Sequence, residues 1–239
     1  MGSSSSYSDK YRSFIYGEGE KSTVWRNGAP PNYDLVNKLF EEGRTQEWSI
    51  GSIEEKVQRL VKSWEMEMFH KIRMEDYKTL NPHKFTFSVN GRPCINIGEI
   101  KQMGGSYNAF LQTSLPKELR YYDPAEETMK SSHDVFTTTF PRGFAVEILH
   151  VYSGPPVIIY KFRHWGYMEG PFKGQPPSGG LVEMFGLGIF TVDEGMRIEK
   201  VEFFYDRGEL LASLLGVSHS KGSIERSSHS SCPFLKGKM

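Results

Sequence analysis

The sequence predicts an α+β fold, and two observations carry that expectation. Helical spacing of apolar residues dominates the first half of the chain, with its clearest case between Ile53 and His70. Four successive segments between Phe144 and Tyr205 are instead rich in β-branched and aromatic residues and are separated by turn residues. Helices that precede strands, rather than alternating with them, indicate a mainly antiparallel sheet with its helices segregated.

Taken in order, residues 1–8 are Ser-rich without apolar periodicity and read as a flexible tail. Residues 9–34 are irregular, yet Tyr11, Phe14, Tyr16 and Trp25 suggest a segment that packs on the domain. A short helix is expected from Asp34 to Glu42, with Leu35, Val36, Leu39 and Phe40 inward and Gly43 closing it. Ser52 and Glu55 form a capping-box pattern at the start of the long helix. Ile53, Val57, Leu60, Val61, Trp64 and Met68 then make one apolar stripe, and charged residues occupy the other face. A short strand follows from Phe85 to Val89, turning at Asn90-Gly91, and a short helix carries Tyr107, Phe110 and Leu111. Strands are expected over Phe144–Tyr152, Val157–Trp165, Leu181–Val192 and Arg197–Tyr205, and a last helix over Glu209–Leu215. Residues 218–239 read as a second tail. The expected organisation is therefore a tail (1–8), an extension packed on the domain (9–51), the domain (52–217) and the final tail.

Composition narrows function. The chain has 239 residues, and its 29 basic side chains are balanced by 29 acidic ones. Nucleic-acid binders need a basic surplus to displace counterions from phosphates, so that class is excluded. Aromatics at 13% supply bulky rings for one sizeable core, and neutrality suits an apolar ligand better than an anionic one. The longest apolar runs, Phe144–Leu149 and Val157–Tyr160, fall far short of the roughly 20 residues that span a bilayer. No signal-peptide pattern stands at the N-terminus, and Cys94 and Cys232 form no disulfide framework, so a cytoplasmic location is expected. Gly2 with Ser6 fits a myristoylation pattern, but a polar leader is the simpler reading. His83, His133, His150, His219 and His229 show no metal-ligand spacing, and no phosphate-binding or dinucleotide fingerprint appears. Cys232-Pro233 is too short a match to imply haem. Neither metal nor cofactor is expected.

The segment Gly170-Pro171-Phe172-Lys173-Gly174-Gln175-Pro176-Pro177-Ser178-Gly179 resembles the turn of SnoaL-like proteins in the nuclear-transport-factor-two-like superfamily. The Asp193-Glu194-Gly195 turn, Glu199–Asp206 and Leu210–Gly216 continue that pattern. A closer resemblance, to the plant pathogen-related proteins, covers nearly the whole chain. It is carried by Asp9–Arg12, Gly17–Lys21, Thr23–Arg26, Ala29–Tyr33, Trp64-Glu65-Met66-Glu67 and Phe162–Gly170. The resemblance implies a cone-shaped roll, in which a curved sheet wrapped by helices encloses an apolar pocket. It also implies that dimers can form through the open sheet face.

In such a roll the candidate pocket walls are Trp64, Met68, Tyr107, Phe110, Met168, Phe185, Phe203 and Tyr205, each of which could equally be plain core. Asp206 follows three aromatic residues at a strand end, where apolar surroundings would raise its pKa toward general-base duty. The resemblance to SnoaL-like cyclases implies a base there. Asp206 also precedes the last helix, where Asp is a favoured N-cap. His164 is the second candidate catalytic residue, able to polarise a carbonyl or shuttle a proton, or else a hydrogen-bonded structural histidine, and strand alternation points it away from the face of Arg163 and Trp165. Met168 stands where many bacterial relatives carry histidine, which weakens a cyclase reading. Glu67 and His70 share a helix face and read as a solvated pair or a pocket rim. Gly186 and Gly188, inside a strand, are expected to permit sheet curvature.

Three functions stay open on these residues. The first is a binding or accessory protein of plant defence or specialised metabolism, holding an apolar metabolite and assisting partner enzymes such as oxygenases. The second is an isomerase, cyclase or dehydratase with Asp206 as base. The third is a protein–protein module.

Overall fold

The computed structural model describes residues 8–216. The expected tails, with Gly2, Ser6, His219, His229 and Cys232, lie outside the described residues. Six α-helices are found in the described part: α1 (Asp34–Gly43), α2 (Ile53–His70), α3 (Ile97–Gln102), α4 (Ser106–Phe110), α5 (Met129–Thr139) and α6 (Arg207–Leu214). Five strands, β1 (Thr86–Val89), β2 (Ala145–Ser153), β3 (Val157–Tyr167), β4 (Leu181–Val192) and β5 (Ile198–Tyr205), form one curved, open sheet in the order β1-β5-β4-β3-β2. β1 joins β5 in parallel, and the other pairs are antiparallel. The class is α+β, as the sequence predicts.

Helix α2 starts at Ser52, whose side chain accepts from the Glu55 amide at 3.1 Å. The reciprocal half of the capping box does not form, because the Ser52 amide bonds the Ser49 carbonyl and Glu55 turns to Arg59. Its apolar stripe packs on the inner sheet face: Trp64 meets Phe190 at 5.4 Å and Phe203 at 5.9 Å between ring centroids. Ile53 and Leu35 are exposed rather than inward, the latter because α1 lays only Leu39 and Phe40, with Val36 beside them, against Ala145 and Trp165.

Gly186 and Gly188 do more than let the sheet bend. They pair with Phe162 and Tyr160 on β3, and a Cβ at either position would lie 2.6 Å or less from those rings. Absent side chains thus let the rings of Tyr160 and Phe162 lie flat across the neighbouring strand.

The sequence misleads most about the far face of α2. Lys62 and Glu67 on that face are not solvated, because residues 8–33 run over them as a strap. Ile15 and Trp25 close over Met66, and the Ser13 amide bonds the Ser63 hydroxyl. Glu67 is wholly buried, so it is neither a solvated partner of His70 nor a pocket rim. It holds the Lys71 ammonium at 2.8 Å and accepts from the Lys78 and Thr79 amides and the Thr79 hydroxyl. Lys71 also bonds Glu20 of the strap at 2.8 Å and the Asp76 carbonyl at 3.0 Å. Removing one charge from such a cluster leaves the others buried without compensation. Lys71→Met is expected to cost about 3–5 kcal/mol in urea unfolding. Lys71→Met with Glu67→Gln should recover part of that loss; equal losses in the two variants would show that the ion cluster does not hold the strap.

Candidate functional site

Between α2, α4, α5 and the β3–β5 end of the sheet lies a cavity of about 130 Å³. Its walls are chiefly aromatic: Phe69 from α2, Tyr107 and Phe110 from α4, Phe136 from α5, and Phe140 and Phe144 from the connection to β2. Met184, Tyr205 and Leu210 close the sheet side. Tyr107 stacks on Phe136 at 4.3 Å, and the Tyr205 hydroxyl is tied to the Phe110 carbonyl at 2.7 Å. The volume is near the roughly 150 Å³ of an apolar cavity that accepts benzene.

Besides the phenols of Tyr107 and Tyr205, two ionisable side chains open on this space, Glu65 and His164. Glu65 sits on α2 between the residues that face the sheet and those that face the strap. Burial pushes its carboxyl up to about 7, against the opposing pull of Arg12 and Lys62. Its charge in turn helps hold the Tyr107 and Tyr160 phenols protonated, although burial is the larger cause in both. Burial pulls His164 down to about 3, assisted by Lys62, so its imidazole is neutral at physiological pH. The ring is sandwiched by aromatics, stacked on Phe144 at 5.5 Å and edge-on to Phe162 at 5.6 Å, and its Nδ1 is enclosed without a hydrogen-bond partner.

The cavity gathers only part of the sequence-predicted site. Tyr107, Phe110, Tyr205 and His164 line it. Trp64 and Met68 border a void of about 10 Å³, and Phe203 is packed among Trp64, Phe162 and Phe190, so these three are core. Met168 is also core, buried where its backbone pairs with Gly179 and Gly180. Phe185 lies on the other side of the sheet and is 49% exposed. It pairs with outward Arg163, whereas its neighbour Met184 pairs with His164 and points in. Asp206 is exposed and does not line the cavity; its Oδ1 accepts from the Gly208 amide at 2.7 Å and the Glu209 amide at 3.2 Å, capping α6. A carboxylate so held caps a helix, the second of the two roles that its sequence position left open.

Sequence reasoning missed Glu65, Phe69, Phe136, Phe140, Phe144 and Met184. Strand parity could have found Met184. Glu65 gave no signal, because a lone glutamate on an amphipathic helix reads as solvated. Among the described residues no group of His, Cys, Asp and Glu side chains could hold a metal ion.

The chain is 58% identical over 239 residues to a pathogen-related protein of Hordeum vulgare, with 99% of each chain covered. It belongs to the pathogen-related protein family. No family model matches the sequence. Among solved structures, a SnoaL-like polyketide cyclase candidate from Jannaschia is 19% identical, with 71% of this chain and 97% of that one covered at a TM-score of 0.37. A nuclear-transport-factor-two-like protein from Burkholderia thailandensis is 13% identical, with 57% and 79% covered at a TM-score of 0.33. Likeness at this level assigns no activity.

Two carboxylates of α2, half-buried Glu65 and buried Glu67, fall in the Trp64–Glu67 segment that carries the family resemblance. Their environments make opposite demands. Glu67 is compensated by Lys71, whereas Glu65 prefers its proton, so it lowers stability as pH rises from the unfolded value of about 4.5 through about 7. His164 acts in the other direction, lowering stability as pH falls from 6.5 toward about 3. Glu65→Gln is therefore expected to melt about 2–4 °C above the parent at pH 8 and level with it near pH 5. Calorimetry at both pH values checks this, and an equal shift at both would show that Glu65 does not titrate in the folded protein.

Proposed function

We propose that this protein holds an apolar small molecule in the cavity between α2, α4, α5 and the sheet. It would serve as a binding or accessory protein in plant defence or specialised metabolism, presenting a terpenoid, polyketide or steroid-like metabolite to biosynthetic oxygenases. The observation that carries this reading is the aromatic cavity of about 130 Å³, with few polar groups on its walls. Pockets of that composition are the usual form of small-molecule sites. The cavity also tells against a pure protein–protein module, which would have no need of it. Proton abstraction by Asp206 gains no support, since that carboxylate serves α6 at the surface.

Native mass spectrometry of the protein from its own tissue should reveal a bound apolar compound that organic solvent releases. Met184→Trp, which places an indole in the cavity, should keep the fold and lose the compound. Retention of the compound by that variant would move the ligand elsewhere.

A cytosolic location belongs to the same proposal, since Cys94 is an exposed free thiol suited to a reducing compartment. Among the described residues no helix is long and apolar enough to cross a membrane. We also propose a homodimer through the outer sheet face, where Phe185, Leu187 and Phe204 are 40–49% exposed and Leu187 pairs with Phe204. Sedimentation should show a dimer that Leu187→Glu converts to monomer; a parent chain that sediments as a monomer at micromolar concentration would refute it.

A further inference from the structure

Apolar walls give a ligand affinity but little orientation, which falls to the few polar groups that reach the same space. The Tyr205 and Thr137 hydroxyls on these walls already donate to the Phe110 and His133 carbonyls; beside the Tyr107 phenol, the remaining pair is Glu65 and His164. We propose that they form the polar end of the cavity and receive the hydroxyl group of an otherwise apolar alcohol. The inference rests on the cavity being a ligand site, and it adds the chemical class of the ligand.

The selection follows from what each group can accept or give. Glu65 makes no hydrogen bond or ion pair among the described residues, and its half-buried position among aromatic rings penalises the charged form. An ionised carboxylate only accepts, so its partner must donate. A neutral imidazole offers one donor and one acceptor whichever nitrogen carries the proton. A hydroxyl satisfies both, because it donates once and keeps lone pairs to accept. A ketone cannot donate to the carboxylate, and a carboxylic acid would place like charge beside it. An ammonium ion would meet the Arg12 guanidinium, which reaches Glu65 from the strap. The other titratable groups around Glu65 are Tyr33, Tyr107 and Tyr160, all held as neutral phenols by burial. Lys62 is titratable there too, because burial holds its pKa well below the usual lysine range, so the Glu65→Gln variant, which keeps Lys62, is what assigns the pH response to Glu65. Hydroxyl binding should strengthen as pH rises through 7 and the carboxyl loses its proton.

Cyclohexanol, cyclohexanone and methylcyclohexane, three ring compounds of matched size, test this by calorimetric titration of the full-length protein. Cyclohexanol should bind about tenfold more weakly at pH 5.5 than at pH 8.5, the change expected from losing one charge-assisted hydrogen bond. Glu65→Gln should weaken it by about tenfold at pH 8.5, and His164→Leu by about threefold, for the same reason. Methylcyclohexane should respond to neither pH nor Glu65→Gln. The pH comparison on the parent chain stands even where a variant fails to fold, which circular dichroism would show. Cyclohexanol binding indifferent to pH and to Glu65→Gln would overturn the polar-end assignment, as would cyclohexanone following the same pattern as the alcohol. Failure of all three compounds, methylcyclohexane included, would overturn the ligand-cavity reading itself.

Discussion

A carboxylate with no access to water, Glu67, is the constraint on which the rest of this molecule depends. Burying it is tolerable only because Lys71, Thr79 and two backbone amides converge on it. Lys71 is in turn shared with Glu20, which commits residues 8–33 to lie across α2. The rotation of α2 about its axis is thereby fixed. Each residue advances a helix by about 100°, so neighbouring positions must serve different surroundings. Trp64 meets the sheet, Met66 meets the strap, Glu67 enters the ion cluster, and Glu65 is left to face the cavity. A helix held less firmly could not keep an unpaired carboxyl aimed at an apolar space.

The two carboxylates that could have served as a base differ in surroundings rather than in chemistry. Asp206 lies at the surface with its oxygen occupied by two amides at the start of α6, an arrangement that gives it a structural role. Glu65 has no such partners and lies among rings, where charge is costly. Physical position, not proximity to aromatic residues in the sequence, decides which acid is responsive.

How far all this could be read from the chain depends on what each residue reports. Period-3.6 spacing fixed α2 at Ile53–His70, and β-branched runs fixed β4 at Leu181–Val192, because both patterns come from burial against a single neighbour. The strap breaks that logic: once a second layer covers α2, Lys62, Ser63 and Glu67 are buried without any apolar signature. Helix α5 went unseen because its Ser and Thr residues are weak helix formers, and its capping box uses Ser131 where the usual signal is an acid. Helix α3 did carry the signal, in Asn96 and Glu99, though over only six residues. Phe185 was assigned inward on its bulk, while pairing places it opposite Arg163. The cavity itself was not legible, since it depends on how α4 and α5 meet the sheet.

The rims of the sheet carry a consequence for how the molecule can associate. Along β2, Gln58 bonds both the Val146 carbonyl and the Ile148 amide, and the Trp48 indole bonds the Ile148 carbonyl. Along β1, Phe87 and Ile95 exchange a reciprocal pair of backbone bonds. These contacts occupy the outer backbone groups of β1 at Phe87 and of β2 at Val146 and Ile148, so strand addition there would have to displace them. The half of β2 next to α2 is thereby committed to this chain's own side chains, so a partner that docks at that end must do so through side-chain contacts.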